Sequence, residues 1–270
     1  MPDPKPGDIQ PVFPPEIEET IFSLCAQSGL KNCKNLTLVA KRVYEWLQPH
    51  LYKVAIVHNN RTYFEGPKFN RTLFKKYGQH VRQLLLWPLP SDDSYLHKTA
   101  TCLSWCPNVV DLSFWQPDPG FGKILIDRLL SLPLQRLSFD ITGFHKELMR
   151  WTISGTVSFA SVTHLHLIGT SIKLREEEIK QYFPNVTHMA LNGSMGLSHN
   201  SILDCWKDKL KVLIWHTYLS NSVSDDPRVV VMQPVWDYVG DWRDAREDGP
   251  KSVWRRAEVE VALRRRNAGL

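Results

Sequence analysis

The side chains best suited to chemistry in this sequence are its histidines and cysteines. His164 and His166 form a His-x-His pair, and His188 follows His164 by 24 residues. Imidazole is the commonest metal ligand and a ready acid–base group, so three converging histidines suggest a metal-dependent hydrolase. No Asp, Glu or Cys occupies the matching strand positions, however, and His-x-His without a further ligand type does not define a metal site. The five cysteines, at 25, 33, 102, 106 and 205, are odd in number and include no Cys-x-x-Cys. Cys102 and Cys106 are four apart, but Cys106 precedes Pro107, which marks a helix end. Buried thiols in a reducing compartment are the expectation. The sequence contains no Gly-x-Ser-x-Gly, no P-loop and no Gly-x-Gly-x-x-Gly. It therefore predicts a protein that is not an enzyme and needs no metal or cofactor. The histidines are read as binding residues.

What would position them is an internal repeat. Six fragments fit apolar-x-x-apolar-x-apolar, beginning at Val81, Val109, Leu134, Val162, Val186 and Leu210. Their starts lie 28, 25, 28, 24 and 24 residues apart, a mean of 25.8 and the period of a leucine-rich repeat. The last two apolar positions of each fragment alternate, as a strand with one buried face requires. Helices are expected between the strands at 122–132, 175–183 and 198–209, and Glu176 to Glu178 suit the positive end of a helix dipole. A strand–helix unit of this size cannot bury its apolar face alone, so neighbours must stack. The expected fold is α/β, with a parallel sheet on the concave face of a solenoid and helices on the convex face.

Stacking in register makes columns. One reads Gln83, Asp111, Arg136, His164, His188, Val212; the next Leu85, Ser113, Ser138, His166, Ala190, Ile214; the third Trp87, Trp115, Asp140, Ile168, Asn192, His216. Column neighbours in parallel strands lie about 5 Å apart. Trp87 would thus neighbour Trp115, and His164 would neighbour His188. Trp87, Trp115, Asp140, His164, His166, His188 and Asn192 are the candidate residues of a protein-binding concave face, with the two tryptophans as anchors.

The 270 residues carry a net charge of +5 and are 43% hydrophobic, which excludes extensive disorder and gives no nucleic-acid signature. No apolar run is long enough for a membrane span. Residues 1–12, which include four prolines, are expected to be disordered and lack a signal-peptide pattern, so cytoplasm or nucleus is the expected location.

Outside the repeats, residues 14–29 predict a helix with Ile17, Ile21, Leu24 and Cys25 as its apolar stripe, and residues 35–48 a second helix. A hairpin follows, with strands at 51–58 and 61–65 turning at Asn59-Asn60. A connecting helix is expected over 69–80. At the other end, Val229 to Met232 read as a seventh strand. Residues 234–270 are expected to cap the solenoid, with Trp236, Tyr238, Val239 and Trp242 closing the last repeat. A helix over 252–266 would pack over them and leave Arg264 to Arg266 in water.

Phe13-Pro14-Pro15-Glu16-Ile17, Ile21-Phe22 and the run from Leu36 to Trp46 (Leu38-Val39-x-Lys41-Arg42-Val43-x-x-Trp46) resemble an F-box. An F-box followed by leucine-rich repeats is a known architecture, and the chain looks like its short fungal form. The resemblance implies a division into an F-box-like module and hairpin start at 13–58, a connector at 59–80, repeats at 81–233 and a cap at 234–270. It also implies a function: a substrate receptor of a Skp–cullin–F-box ubiquitin ligase, active in ubiquitin-dependent degradation through protein–protein contacts alone. Pro14, Ile17, Ile21, Phe22, Leu38, Val39, Val43 and Trp46 would dock the Skp adaptor. The competing expectation is a leucine-rich-repeat scaffold whose first helices only cap the solenoid.

Overall fold

A computed structural model describes residues 13–58, 61–64, 68–69, 71–86, 100–115, 123–141, 158–169, 175–192, 196–217, 224–233, 242 and 252–269. Expectations for residues 1–12, Trp87, Trp236, Tyr238 and Val239 lie outside these residues.

Three helices open the chain: α1 (Pro15–Gln27), α2 (Leu30–Leu36) and α3 (Lys41–Leu51). Pro15 sits in the first turn of α1, where its missing N–H costs nothing, and Glu16 and Glu18 face the positive end of the helix dipole. Gly29, at φ +143°, lets the chain turn directly from α1 into α2. The single helix expected over 35–48 is two helices with a turn at 37–39. Leu38 N and Val39 N still bond back to Asn35 O and Leu36 O, so rotation continues through the turn and the apolar periodicity does not register the break. Helix α3 then runs past Gln48 through Pro49, and the strand expected from Leu51 begins at Val54. The cause is tertiary. Leu51 continues the buried stripe Val43, Leu47, Leu51, and Tyr52 N bonds to Gln48 O to close the last turn.

The described strands form one ten-stranded sheet. In chain order they are β1 (Val54–His58), β2 (Arg61–Phe64), β3 (Lys68–Phe69), β4 (Gln83–Leu86), β5 (Asp111–Phe114), β6 (Arg136–Asp140), β7 (His164–Ile168), β8 (His188–Asn192), β9 (Val212–His216) and β10 (Val229–Met232). Eight of them, β1 and β4 to β10, are mutually parallel and adjacent in sequence order, with β2 and β3 added antiparallel beyond β1. Parallel strands laid down in chain order give a solenoid-like α/β fold. The sequence did not show that β1 joins this sheet. Val54 to Val57 align with Gln83 to Leu86, so the hairpin belongs to the repeat sheet and the boundary expected after residue 58 cuts through it.

The repeat positions fall in register. Leu84, Leu112, Leu137, Leu165, Met189 and Leu213 are successive pairing partners, and all are fully buried. Each strand is led in by a further backbone ladder, in which Arg82 N, Val110 N, Gln135 N, Thr163 N, Thr187 N and Lys211 N each donate to the preceding unit. Asn108 and Asn185, each following a proline, add side-chain bonds of 2.8 Å to Gln79 O and Ala160 O of the unit before.

One face of the sheet carries the main core. Helices α4 (Arg71–Tyr77), α5 (Lys123–Leu130), α6 (Glu176–Tyr182) and α7 (His199–Trp206) pack there through Phe74, Ile126, Leu129, Ile179, Ile202 and Trp206. Phe114, Phe139, Phe183 and Phe159 form a chain of ring contacts with centroids 5.3–6.0 Å apart. After α4, Gly78 lies against the next helical turn, residues 100–105. A Cβ there would come 2.3 Å from the Trp105 carbonyl oxygen, so only glycine permits the approach. Val43, Leu47 and Leu51 join the same core, and α3 is thereby fused to the sheet.

Helix α8 (Val253–Asn267) behaves differently from the expected end cap. Its Val253, Ala257 and Val261 pack on Ala190, Val212, Ile214 and Val230, across the second sheet face rather than over its open end. Trp242 lies at the far side of that face, with Ile56 and Leu85. Arg264 is not left in water: Nη1 donates to Val229 O at 2.9 Å and Nε pairs with Glu260 at 2.7 Å. Arg265 and Arg266 are exposed, and so is Ala262.

Candidate protein-docking surfaces

Two surfaces collect the candidate residues. The first is on the N-terminal helices. Ile17, Ile21 and Leu24 form one stripe on α1, at spacings of four and three, and this stripe faces outward. The inward side of α1 is made by Phe22 and Ala26 instead. Leu38 and Val39, on the α2–α3 turn, are 85% and 62% exposed, and Phe13 and Pro14 are exposed beside the start of α1. Glu18 ties α1 to α3 by an ion pair with Arg42 at 2.9 Å, and the Arg42 guanidinium lies over Trp46. Trp46 and Phe22 are half-buried neighbours, 6.4 Å between centroids. Val43 is a correction. It is 1% exposed in the core and cannot touch a partner, because it begins the buried stripe of α3.

The second surface is the sheet face under α8. The expected columns are realised from Gln83↔Asp111 to Asn192↔His216, except that the pairing of β5 with β6 ends at Phe114↔Phe139 and does not extend to Trp115 and Asp140. His164 and His188 stack with centroids 4.2 Å apart and planes within 5°. The edge of Trp254 stands over both rings. His164 Nδ1 pairs with Thr163 Oγ1 at 3.0 Å and His188 Nδ1 with Thr187 Oγ1 at 2.8 Å. His188 Nε2 meets Glu258 of α8 at 3.3 Å. Trp115 Nε1 donates to Ser138 Oγ at 2.8 Å, and Ser138 Oγ lies 3.2 Å from His166 Nδ1. Ser138 Oγ accepts from Trp115 and still has both a hydrogen and a second lone pair for His166 Nδ1.

Burial keeps these rings neutral. His164 is pushed down to about 3 by desolvation, then by His188 and Arg136. His166 is pushed down to about 3 by desolvation and by His216. His188 is also lowered, desolvation outweighing the attraction of Glu258, and burial lowers His216. The candidate face is therefore not open as expected. Trp115 is half-buried beside Trp242, His188 and Asn192 are buried, and Asp140, His164 and His166 are partly covered.

No group of three or more His, Cys, Asp or Glu able to hold a metal occurs among the described residues. Of the cysteines only Cys33 and Cys106 are buried, and burial raises both thiols; Cys102 and Cys205 are half-buried and Cys25 is exposed, against the expectation for all five. No described helix is long and apolar enough to cross a membrane. Compared with known proteins, the chain matches no protein-family model, no curated protein and no solved structure. The architecture and the two surfaces stand on their own geometry. The outward stripe of α1 was legible as an apolar stripe, and its direction followed only from the F-box resemblance; the cover over the second face left no local signal beyond the periodicity of α8.

Proposed function

We propose that this chain is the non-catalytic substrate receptor of a Skp–cullin–F-box ubiquitin ligase, with α1–α3 as an F-box-like module and the parallel strands as a leucine-rich-repeat solenoid. The observation that carries the reading is the exposed apolar surface of α1 and the α2–α3 turn: Pro14, Ile17, Ile21, Leu38 and Val39 are exposed where the resemblance puts the adaptor contact. Apolar side chains grouped on one small helical unit mark an interaction site. Trp46 and Phe22 support that surface from behind. The client protein would be read by the second sheet face, which α8 partly covers, through Trp115, Asp140, His164, His166, His188 and Asn192. No nucleic acid, membrane or cofactor enters this scheme.

A second reading has one observation in its favour. Val43, Leu47 and Leu51 of α3 are built into the sheet's own core, as a simple solenoid cap requires. Affinity purification from the native host separates the two. The receptor reading expects a Skp adaptor to co-purify with the wild-type chain and to be lost with Val39→Asp, while circular dichroism stays native. A wild-type chain that captures no adaptor leaves the scaffold reading.

A further inference from the structure

We propose that the second sheet face is a helix-binding groove, that α8 is its resident occupant in cis, and that the groove takes an amphipathic helix of a partner protein in its place. The resident helix displays the chemistry that fits. Val253, Ala257 and Val261 recur at spacings of four and lie on Ala190, Val212, Ile214 and Val230. Ala257 is wholly buried, so the approach there demands a small residue. Trp254 supplies the aromatic edge over His164 and His188, and Glu258 accepts from His188. A partner helix is thus expected to carry aliphatic, aromatic, small, acidic and aliphatic residues at the places of Val253, Trp254, Ala257, Glu258 and Val261.

Three features distinguish this seat from the core on the other face. The anchoring aliphatics of α8 are small, whereas α5 and α7 insert Ile, Leu and Trp. The outer side of α8 carries Arg255, Arg265 and Arg266, all exposed, which suits it to water once released. The fit is also incomplete. Under Trp254 lies a cavity of about 40 Å³, and Ser113 Oγ and His166 Nε2, both buried, have no hydrogen-bond partner there. Buried polar atoms are satisfied almost everywhere in folded proteins. His166 Nε2 and the Ser113 hydroxyl would together receive a polar side chain from a helix other than α8. An open cleft of about 880 Å³ beside α8, lined by Lys211, Arg228, Glu258 and Arg265, gives a route by which one helix can be exchanged for another.

That the incoming helix belongs to a client rests on the receptor reading; that the groove exchanges helices does not. The test uses the full chain and a fluorescein-labelled peptide of residues 252–267, read by anisotropy. Ala257→Glu in the chain unseats the resident helix, so peptide affinity should rise at least tenfold over wild type. A peptide carrying the same substitution should not bind. Equal affinity of wild type and variant overturns the proposal, as does a variant that pairs into dimers through exchange of α8 and takes up no peptide. Should the variant fail to fold, hydrogen exchange on the wild-type chain decides. Amides of α8 are expected to exchange at least a hundredfold faster than those of β5 to β8, and equal protection overturns the proposal. Adaptor capture through α1 is measured separately, so either reading can fail while the other stands.

Discussion

Helices α1 and α8 invert the usual relation between hydrophobicity and burial. Helix α1 carries Ile17, Ile21 and Leu24 on one stripe and leaves all three exposed. Helix α8, with five arginines and two glutamates in fifteen residues, buries Val253, Ala257 and Val261. The difference lies in what each helix meets. Phe22 and Ala26 already fix α1 to its neighbours, and none of the described residues covers its outer stripe. Helix α8 meets a sheet face rich in Ala190, Val212, Ile214 and Val230, which water would otherwise reach. Apolar area removed from water stabilises by about 25 cal/mol per Å², whichever partner removes it. The exposed stripe on this well-anchored helix is the surface on which the proposed adaptor contact rests.

This contrast can be broken by matched substitutions. The largest effect is expected within the N-terminal module. Leu47→Ala, in the core stripe of α3, should cost about 2–5 kcal/mol in urea unfolding, because it leaves a cavity where the surroundings are closely packed. Leu24→Ala on α1 should change stability by less than about 0.5 kcal/mol. Similar losses at both sites would mean that the stripe of α1 is covered after all. The same comparison applies on α8 at smaller scale. Val261→Ala should cost roughly 1–2 kcal/mol, counted as two buried methyl groups, whereas Val259→Ala, on the outer side, should be neutral within about 0.5 kcal/mol. A neutral Val261→Ala would show that α8 does not hold to the sheet.

The smallest effect per residue is electrostatic and belongs to the sheet face alone. His164 and His166 are held at about 3 in the fold, below the value near 6.5 expected unfolded. The unfolded chain then binds protons that the fold refuses. Stability is full above pH 6.5 and falls as pH drops from there toward 3. Between pH 7.5 and 6.0 each of these histidines should remove about 0.8 kcal/mol. Arg136 opposes protonation of His164, and Lys211 opposes that of His188 while Glu258 favours it, so His188 should contribute less. Urea midpoints at the two pH values provide the measurement, with His164→Asn expected to flatten the dependence. A midpoint independent of pH would place the rings in water and remove α8 from above them.

Much of the sheet could be read from the sequence, because the information is local and repeated. The fragments beginning at Val81 and Leu210 state which residues alternate inward, and stacking at a constant period leaves one register that buries all of them. The pairing of His164 with His188 and of Ser113 with Ser138 follows from that register. Helix bounds at 37–40 and at Leu51 were harder, since backbone rotation continues through the turn at Leu38 and core packing extends α3 beyond Pro49.

What the sequence by itself determined is therefore the repeat, its register, and the existence of an apolar stripe on α1 and on α8. Periodicity alone left open where those stripes point, and the tertiary structure decided it. Periodicity encodes that one side of a helix differs from the other; it does not encode the distant surface that the side will meet. Joining β1 to β4, laying Trp242 near Ile56 and seating Val261 across the sheet face all depend on segments far apart in the chain. Such contacts are chosen by the shape and remaining apolar area of the assembled sheet, and neither exists until the chain has folded.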